Sequence, residues 1–136
     1  MQKATSRGTR IAHIGIAVDA IDHLVPLYRD LLGLPDHPLD DADGARIAGF
    51  RCGDSLVELL EAKDPDSPIA KFVAKRGPGI HHICFAVDDL NATLERCRRA
   101  GVRLIDEVPR VGAERKRIAF LHPSSTGGVL IELTEH

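Results

Sequence analysis

Alternating apolar residues predict a β-strand at residues 11–18, the first regular element of the chain. One face of this strand carries the bulky side chains of Ile14, Ile16 and Val18. The opposite face carries His13 and the small residues Gly15 and Ala17. Apolar residues then recur at helical spacing from Ile21 to Leu32, with Asp19 at the expected N-cap and Gly33 at the end. The chain is therefore predicted to begin with a strand followed by a helix.

The next apolar segments predict a β-hairpin. Residues 45–52 and 55–62 read as strands joined at Gly53-Asp54, and a further short strand is predicted near residues 36–40. The first half of the chain is thus β-α-β-β, with this short strand as an additional element. A short helix at about residues 67–77 follows, since Ser67 is a suitable cap and Pro68 suits the first helical position.

The second half repeats this plan. It contains a strand at 80–87 and a helix at 89–100 that is predicted to start at Asp88 and to stop at Gly101. The remaining predicted strands are 103–105, 115–121 and 129–134. We therefore expect an α+β fold with two tandem βαβββ modules that form a curved mixed sheet around a metal-containing cavity. The single domain of residues 1–136 would contain repeats at about 10–66 and 79–136, linked by the helix at about 67–77.

Sequence identity supports this internal repeat. Residues 11–21 read IAHIGIAVDAI and residues 80–90 read IHHICFAVDDL, with six of eleven positions identical, so that His13 matches His82. Residues 55–61 read SLVELLE and residues 129–135 read VLIELTE, so that Glu58 matches Glu132. Each half therefore supplies one imidazole and one carboxylate at equivalent positions.

These four residues predict a metal site. A single strand histidine or glutamate is usually structural, but Glu58 and Glu132 both lie in strongly apolar strands where an unpaired carboxylate would be costly. A divalent cation would remove that cost, and two imidazoles with two carboxylates suit a divalent transition metal. The small residues beside His13 and His82 would leave room for a group that is not protein. We therefore predict that His13, Glu58, His82 and Glu132 bind one metal ion.

Two further pairs of side chains are interpreted differently. His81 precedes His82 and should point to the opposite face of a regular strand, so both should not serve one site. Glu61 and Glu135 also match between the repeats, but their parity is opposite to that of the predicted ligands. We interpret them as surface residues at strand ends or as salt-bridge partners.

Composition excludes other classes of protein. The net charge is −2 and aromatic residues make up 4% of the chain, which argues against nucleic acid or an anionic membrane as partners. The three cysteines show no CxxC spacing and argue against a disulfide framework. The N-terminal segment is polar and no apolar run approaches membrane length. We therefore expect a cytoplasmic protein.

Longer segments resemble the vicinal oxygen chelate superfamily, which includes glyoxalase I, extradiol dioxygenases and bleomycin-resistance proteins. The segments DPDSPIAKF, GIHHI and HPSSTGGVLIEL are similar to those of its methylmalonyl-CoA epimerase family. The resemblance covers the chain from about residue 10 onward. It implies the same four metal ligands, a divalent ion with Co²⁺ favoured over Mn²⁺, Zn²⁺ or Ni²⁺, and methylmalonyl-CoA as substrate. We also expect a homodimer.

The family reaction implies two acid/base groups, one for each face of the substrate carbon. The resemblance assigns one role to Glu132, which would be both ligand and base. The segment ARIAGF lacks the carboxylate that some members carry in this strand, so Glu58 is the candidate for the second base. The basic residues Arg115, Lys116 and Arg117 would contact either the CoA phosphates or solvent along an edge strand.

Three rival functions remain open on the same fold. A glyoxalase I-type lactoylglutathione lyase would use the same metal ligands for a similar proton transfer. An extradiol dioxygenase would need only two histidines and one carboxylate on Fe(II). A resistance protein would bind a small molecule in the cavity without a metal. The epimerase-like segments and the complete His2Glu2 set favour the epimerase.

Overall fold

The structure is a computed structural model that describes residues 8–112 and 114–136. The chain divides into two compact units. One unit comprises residues 13–82, and the other comprises residues 83–136 together with the described residues that precede His13. Each unit contains strands of both directions and at least one helical segment.

The unit of residues 13–82 contains a four-stranded mixed sheet. Its strands are β1 (Arg10–Val18, from His13 onward), β2 (Asp36–His37), β3 (Ala45–Cys52) and β4 (Ser55–Ala62). Their spatial order is β2-β3-β4-β1. β1 runs parallel to β4, whereas the other two pairs are antiparallel. The helical segments are a 3-10 turn at Ile21–His23, a π-helical segment at Pro26–Leu31 and helix α1 at Pro68–Arg76.

The second unit has the same topology. Its strands are β5 (Gly79–Val87, from Ile83 onward), β6 (Arg110–Val111), β7 (Arg117–Leu121) and β8 (Ile131–Glu135). Their order is β5-β8-β7-β6, with β5 parallel to β8 and the other pairs antiparallel. Helix α2 (Leu90–Arg99) follows β5, and a 3-10 turn lies at Pro123–Ser125. The predicted α+β class with two βαβββ modules is confirmed.

The register of the parallel strand pairs is also repeated. In the first unit Glu58 of β4 lies opposite Gly15, two residues after His13. In the second unit Glu132 of β8 lies opposite Cys84, two residues after His82. Because side chains alternate between the faces of a strand, each glutamate shares the face of the histidine in its repeat.

The predicted bulky faces of β1 and β5 pack against helical segments. Val18 contributes to a buried cluster with Ile21, Phe50 and Leu59, and Val87 contributes to one with Leu90, Leu94 and Leu133. Helix α1 covers another cluster through Ile69. Helices α1 and α2 contain nine and ten residues, and within the described part of the chain no helix combines the length and apolarity needed to span a bilayer.

Helix α1 forms as predicted. It begins at Pro68, the Ser67 hydroxyl accepts a hydrogen bond from the Ala70 amide, and Gly77 follows it with a positive φ of 77°. The helix predicted after β1 differs from the expectation, because Asp19 does not cap it and the segment is 3-10 and π-helical. Helix α2 is capped by Asp89 rather than by Asp88.

The last three strands predicted for the second unit are shorter than expected. Residues 103–105 contribute only an isolated bridge between Leu104 and Leu121, and β6 was not predicted. β7 begins at Arg117, because Arg115 adopts a left-handed φ of 59° that is incompatible with an extended strand. β8 begins at Ile131, after the two positive-φ glycines Gly127 and Gly128.

Glu61 and Glu135 have a role that the sequence did not reveal. The Glu61 carboxylate accepts a hydrogen bond of 2.7 Å from the Ile21 amide, and the Glu135 carboxylate accepts one of 2.8 Å from the Leu90 amide. Glu135 also lies 3.6 Å from the Arg117 guanidinium, as expected for a salt-bridge partner. The last strand of each module therefore caps the helical segment that follows the first strand.

This duplicated contact predicts a duplicated effect on stability. Glu61→Ala and Glu135→Ala should each lower the free energy of unfolding by about 1–2 kcal/mol, because each removes the acceptor of an N-terminal helical amide. Glu107→Ala is the matched control, since Glu107 is exposed and pairs only loosely with Arg98 at 3.5 Å. Its effect should stay below about 0.5 kcal/mol. Urea unfolding measures the free energy of unfolding of all three variants. A loss in Glu61→Ala or Glu135→Ala no larger than the loss in Glu107→Ala would contradict the capping role.

Candidate metal centre

His13 and His82 meet inside the unit of residues 13–82. Their Nε2 atoms lie 3.0 Å apart, and the two rings are nearly perpendicular at 87°. Both residues are buried, with exposed fractions of 8% and 6%. The structure therefore brings these two predicted ligands together.

Glu58 completes a buried cluster with these histidines. It is 2% exposed, and its Oε2 atom lies 3.2 Å from Nδ1 of His13. Taking one donor atom from each of the three residues, these atoms all lie within 4.8 Å of one another. Three of the four predicted ligands are thus grouped as a candidate metal centre.

The separation of the two imidazoles fits a divalent transition metal. With metal–nitrogen bonds of about 2.0–2.1 Å, two ligands at a right angle are about 2.9–3.0 Å apart. The observed distance between the Nε2 atoms is 3.0 Å. Each histidine can offer one nitrogen to an ion, so Nε2 is the atom through which His13 would bind together with His82. Its Nδ1 faces Oε2 of Glu58 at 3.2 Å.

The charge of the cluster also favours a cation. A buried carboxylate beside two imidazoles loses its hydration, and this cost is high unless a positive charge lies nearby. Neutral imidazoles and a carboxylate are the protonation states that bind a divalent ion. Two imidazole nitrogens and one carboxylate therefore form a donor set that suits such an ion.

Gly15 allows this arrangement. A Cβ atom built at position 15 would overlap the His82 ring, with Nδ1 of His82 at 2.6 Å. The expectation that the small residue leaves room for a group that is not protein is therefore wrong at this position. The space above Gly15 is occupied by the imidazole of His82.

His81 lies closer to the centre than its position in the strand suggested. Its Nδ1 atom is 3.0 Å from Nδ1 of His82, although the two residues are adjacent in β5. Strand alternation predicts opposite directions at Cβ, yet the two ring centroids are 5.2 Å apart. His81 therefore contacts a predicted ligand, while the group of candidate ligands itself comprises His13, Glu58 and His82.

Glu132 occupies the equivalent position in the other unit. It is buried, with an exposed fraction of 6%, and lies in β8 opposite Cys84 of β5 and Phe120 of β7. Its place among the metal ligands remains a prediction from the repeat and from the family resemblance.

The predicted substrate-binding residues lie at the start of β7. The guanidinium of Arg117 donates a hydrogen bond of 3.1 Å to the Asn91 side chain and also faces Glu135. Arg115 and Lys116 form the preceding turn, in which the Gly112 amide donates to the Lys116 carbonyl at 2.8 Å. Arg117 is thus already engaged within the protein.

Comparison with known proteins identifies the family of this chain. The glyoxalase/bleomycin resistance protein/dioxygenase superfamily profile matches residues 12–120, which include three of the predicted ligands. The chain belongs to this superfamily. Within it, the relatives described next place the chain in the methylmalonyl-CoA epimerase family.

The relatives are similar over most of their length. Human mitochondrial methylmalonyl-CoA epimerase is 35% identical over 93% of this chain and 73% of its own. An ethylmalonyl-CoA/methylmalonyl-CoA epimerase of Cereibacter sphaeroides is 36% identical over 93% of this chain and 97% of its own. A solved methylmalonyl-CoA epimerase in complex with methylmalonyl-CoA and NH4+ is 38% identical, with a TM-score of 0.86 and coverage of 93% and 94%.

Removing one imidazole should abolish tight metal binding. His13→Ala and His82→Ala should each weaken Co²⁺ binding by more than about 100-fold, since even the loss of an outer-shell partner costs about 10–100-fold. His23→Ala is the control, because His23 is exposed on the 3-10 turn. Calorimetric titration of the metal-free protein gives the dissociation constants. Wild-type affinity in either imidazole variant would rule out this centre.

Proposed function

We propose that the protein is a metal-dependent epimerase that interconverts the (R) and (S) forms of methylmalonyl-CoA. The reaction would remove a proton from C2 and return one on the opposite face. The approach of two buried imidazole Nε2 atoms to 3.0 Å, beside a buried carboxylate, carries the proposal. The names of two relatives, each more than 30% identical, support the choice of substrate.

His13, His82 and Glu58 would hold the ion, and Glu132 would be the fourth ligand. Co²⁺ is the favoured ion, with Mn²⁺, Zn²⁺ or Ni²⁺ as alternatives. When bound, the ion would stabilise the negative charge that develops on the thioester oxygen as the C2 proton leaves. The histidines can hold this ion only as neutral imidazoles, which requires that their remaining proton sit on Nδ1.

Two carboxylates would perform the proton transfers. Glu132 would accept the proton from one face of C2, and Glu58 would deliver or accept the proton at the other face. Both carboxylates are buried, with exposed fractions of 2% and 6%, so bulk water does not compete for the transferred proton. β3 reads ARIAGFRC and contributes no carboxylate of its own, so that Glu58 is the carboxylate of its unit that lies with the imidazoles.

Other parts of the proposal rest on the family resemblance. Arg115 and Lys116 would contact the CoA phosphates, with Arg117 contributing less because it is engaged with Glu135 and Asn91. The protein would act as a homodimer in the cytoplasm. The substrate range would include ethylmalonyl-CoA if this chain follows the relative that is named for both substrates.

Deuterium incorporation tests the activity directly. In D2O the metal-loaded protein should introduce deuterium at C2 of methylmalonyl-CoA and convert one epimer to the other, as followed by mass spectrometry. A glyoxalase I-type enzyme would instead convert the hemithioacetal of glutathione and methylglyoxal. A resistance-type binding protein would bind a small molecule without metal and show no exchange. Absence of C2 exchange from the metal-loaded protein would reject the epimerase proposal.

The two carboxylates should differ in which epimer they deprotonate. Glu132→Gln and Glu58→Gln should each lower exchange of one epimer by about 100-fold or more, because glutamine keeps a ligand oxygen but cannot accept the proton. The epimer affected should differ between the two variants, and both variants should stop epimerisation. Exchange of each purified epimer in D2O provides this comparison.

The matched control for these variants is Glu107→Gln on the exposed surface. Metal content must be measured in parallel by mass spectrometry. Wild-type exchange of both epimers in Glu132→Gln with metal retained would show that Glu132 is only a ligand. The same result in Glu58→Gln would leave the second base outside this cluster.

A further inference from the structure

The imidazole of His82 is contacted at both of its nitrogens. Nε2 faces Nε2 of His13 at 3.0 Å, and Nδ1 faces Nδ1 of His81 at 3.0 Å. The His81 and His82 rings are perpendicular at 89°, with centroids 5.2 Å apart. The three imidazoles thus form a continuous row within the unit of residues 13–82.

This geometry constrains the tautomer of His82. A neutral imidazole carries one proton, and its other nitrogen holds the lone pair. If Nε2 is the metal-binding atom, the proton of His82 must sit on Nδ1. That Nδ1–H group points to Nδ1 of His81, which can accept the hydrogen bond only if the proton of His81 sits on its own Nε2.

His81 is itself held in place by helix α1. The Phe72 ring meets the His81 ring edge to face, with centroids 5.0 Å apart at 77°. The Arg76 guanidinium lies over the Phe72 ring, with its Cζ atom 5.8 Å from the ring centroid. The ring of His81 therefore has a defined orientation from which its Nδ1 atom can act on His82.

We propose that His81 is a positioning residue that accepts a hydrogen bond from Nδ1–H of His82 and thereby keeps the Nε2 lone pair of His82 available for the metal. This inference rests on the metal centre of the proposed function and extends it by one residue. Outer-shell partners of this kind orient the ligand ring and raise its basicity. In this protein the outer-shell partner is a histidine, whereas a carboxylate or a backbone carbonyl is the more common acceptor for a ligand histidine.

The tautomers can be measured in the protein loaded with Zn²⁺, which is diamagnetic and is one of the ions that the donor set suits. Long-range ¹H–¹⁵N correlation spectra of the ¹⁵N-labelled chain distinguish a protonated Nδ1 from a protonated Nε2 in each assigned histidine. In the wild type we expect the Nδ1–H form of His82 and the Nε2–H form of His81. A predominant Nδ1–H form of His81, or an Nε2–H form of His82, in the metal-loaded protein would overturn the inference, whatever the activity of the protein.

Variants at position 81 test the acceptor. His81→Phe keeps an aromatic ring against Phe72 but removes the acceptor, so Co²⁺ binding should weaken by about 10–100-fold. His81→Asn supplies a carbonyl oxygen near the position of Nδ1 and should restore most of the affinity. Wild-type Co²⁺ affinity in His81→Phe would contradict the inference. If His81→Phe does not fold, the wild-type tautomers and the Asn variant decide the question.

The matched control is His23→Phe, which makes the same substitution on the exposed 3-10 turn and should leave Co²⁺ affinity unchanged. Failure of the inference is distinguishable from failure of the proposed function. A protein with the predicted tautomers and metal affinity but without C2 exchange would retain the role of His81 and lose the epimerase assignment. If the wild type exchanges the C2 hydrogen but His81→Phe binds the metal as tightly as the wild type, the epimerase assignment is retained and the role of His81 is lost.

Discussion

Burial of the Glu58 carboxylate beside His13 is the interaction on which the candidate centre depends. An ionised carboxylate that is only 2% exposed needs a nearby positive charge or several hydrogen bonds to offset its lost hydration. The neighbouring groups are imidazoles, which bind a divalent ion when neutral and become cations when protonated. The same cluster is therefore suited to exchange protons for a metal ion, which is the behaviour expected of a metal centre that forms with the fold.

Strand register is what brings this carboxylate to the imidazoles. The parallel pairing of β1 with β4 sets Glu58 opposite Gly15, on the face that also carries His13. A slip of one residue would move Glu58 to the other face of the sheet and would bury Val57 or Leu59 among the imidazoles instead. Gly15 contributes in a second way, because the absence of a Cβ atom leaves space for the ring of His82.

In each half of the internal repeat, one strand carries two glutamates with different roles. Glu58 and Glu132 are buried in the middle of apolar strands, whereas Glu61 and Glu135 accept hydrogen bonds from the first amides of helical segments. The spacing of three residues places the members of each pair on opposite faces of the strand. One face thus serves the candidate chemistry and the other ties the helical segment of the same unit to its last strand.

Alternation along the strands and the match between the two halves were sufficient to predict the βαβββ order and to select His13, Glu58 and His82. Alternation reports which side chains share a face, and a repeat reports which residues are equivalent. The contact of His81 with His82 and the bond from the Ile21 amide to Glu61 could not be predicted in this way. Both depend on side-chain torsions and on the distance between elements far apart in the chain, and only the tertiary structure determines these quantities.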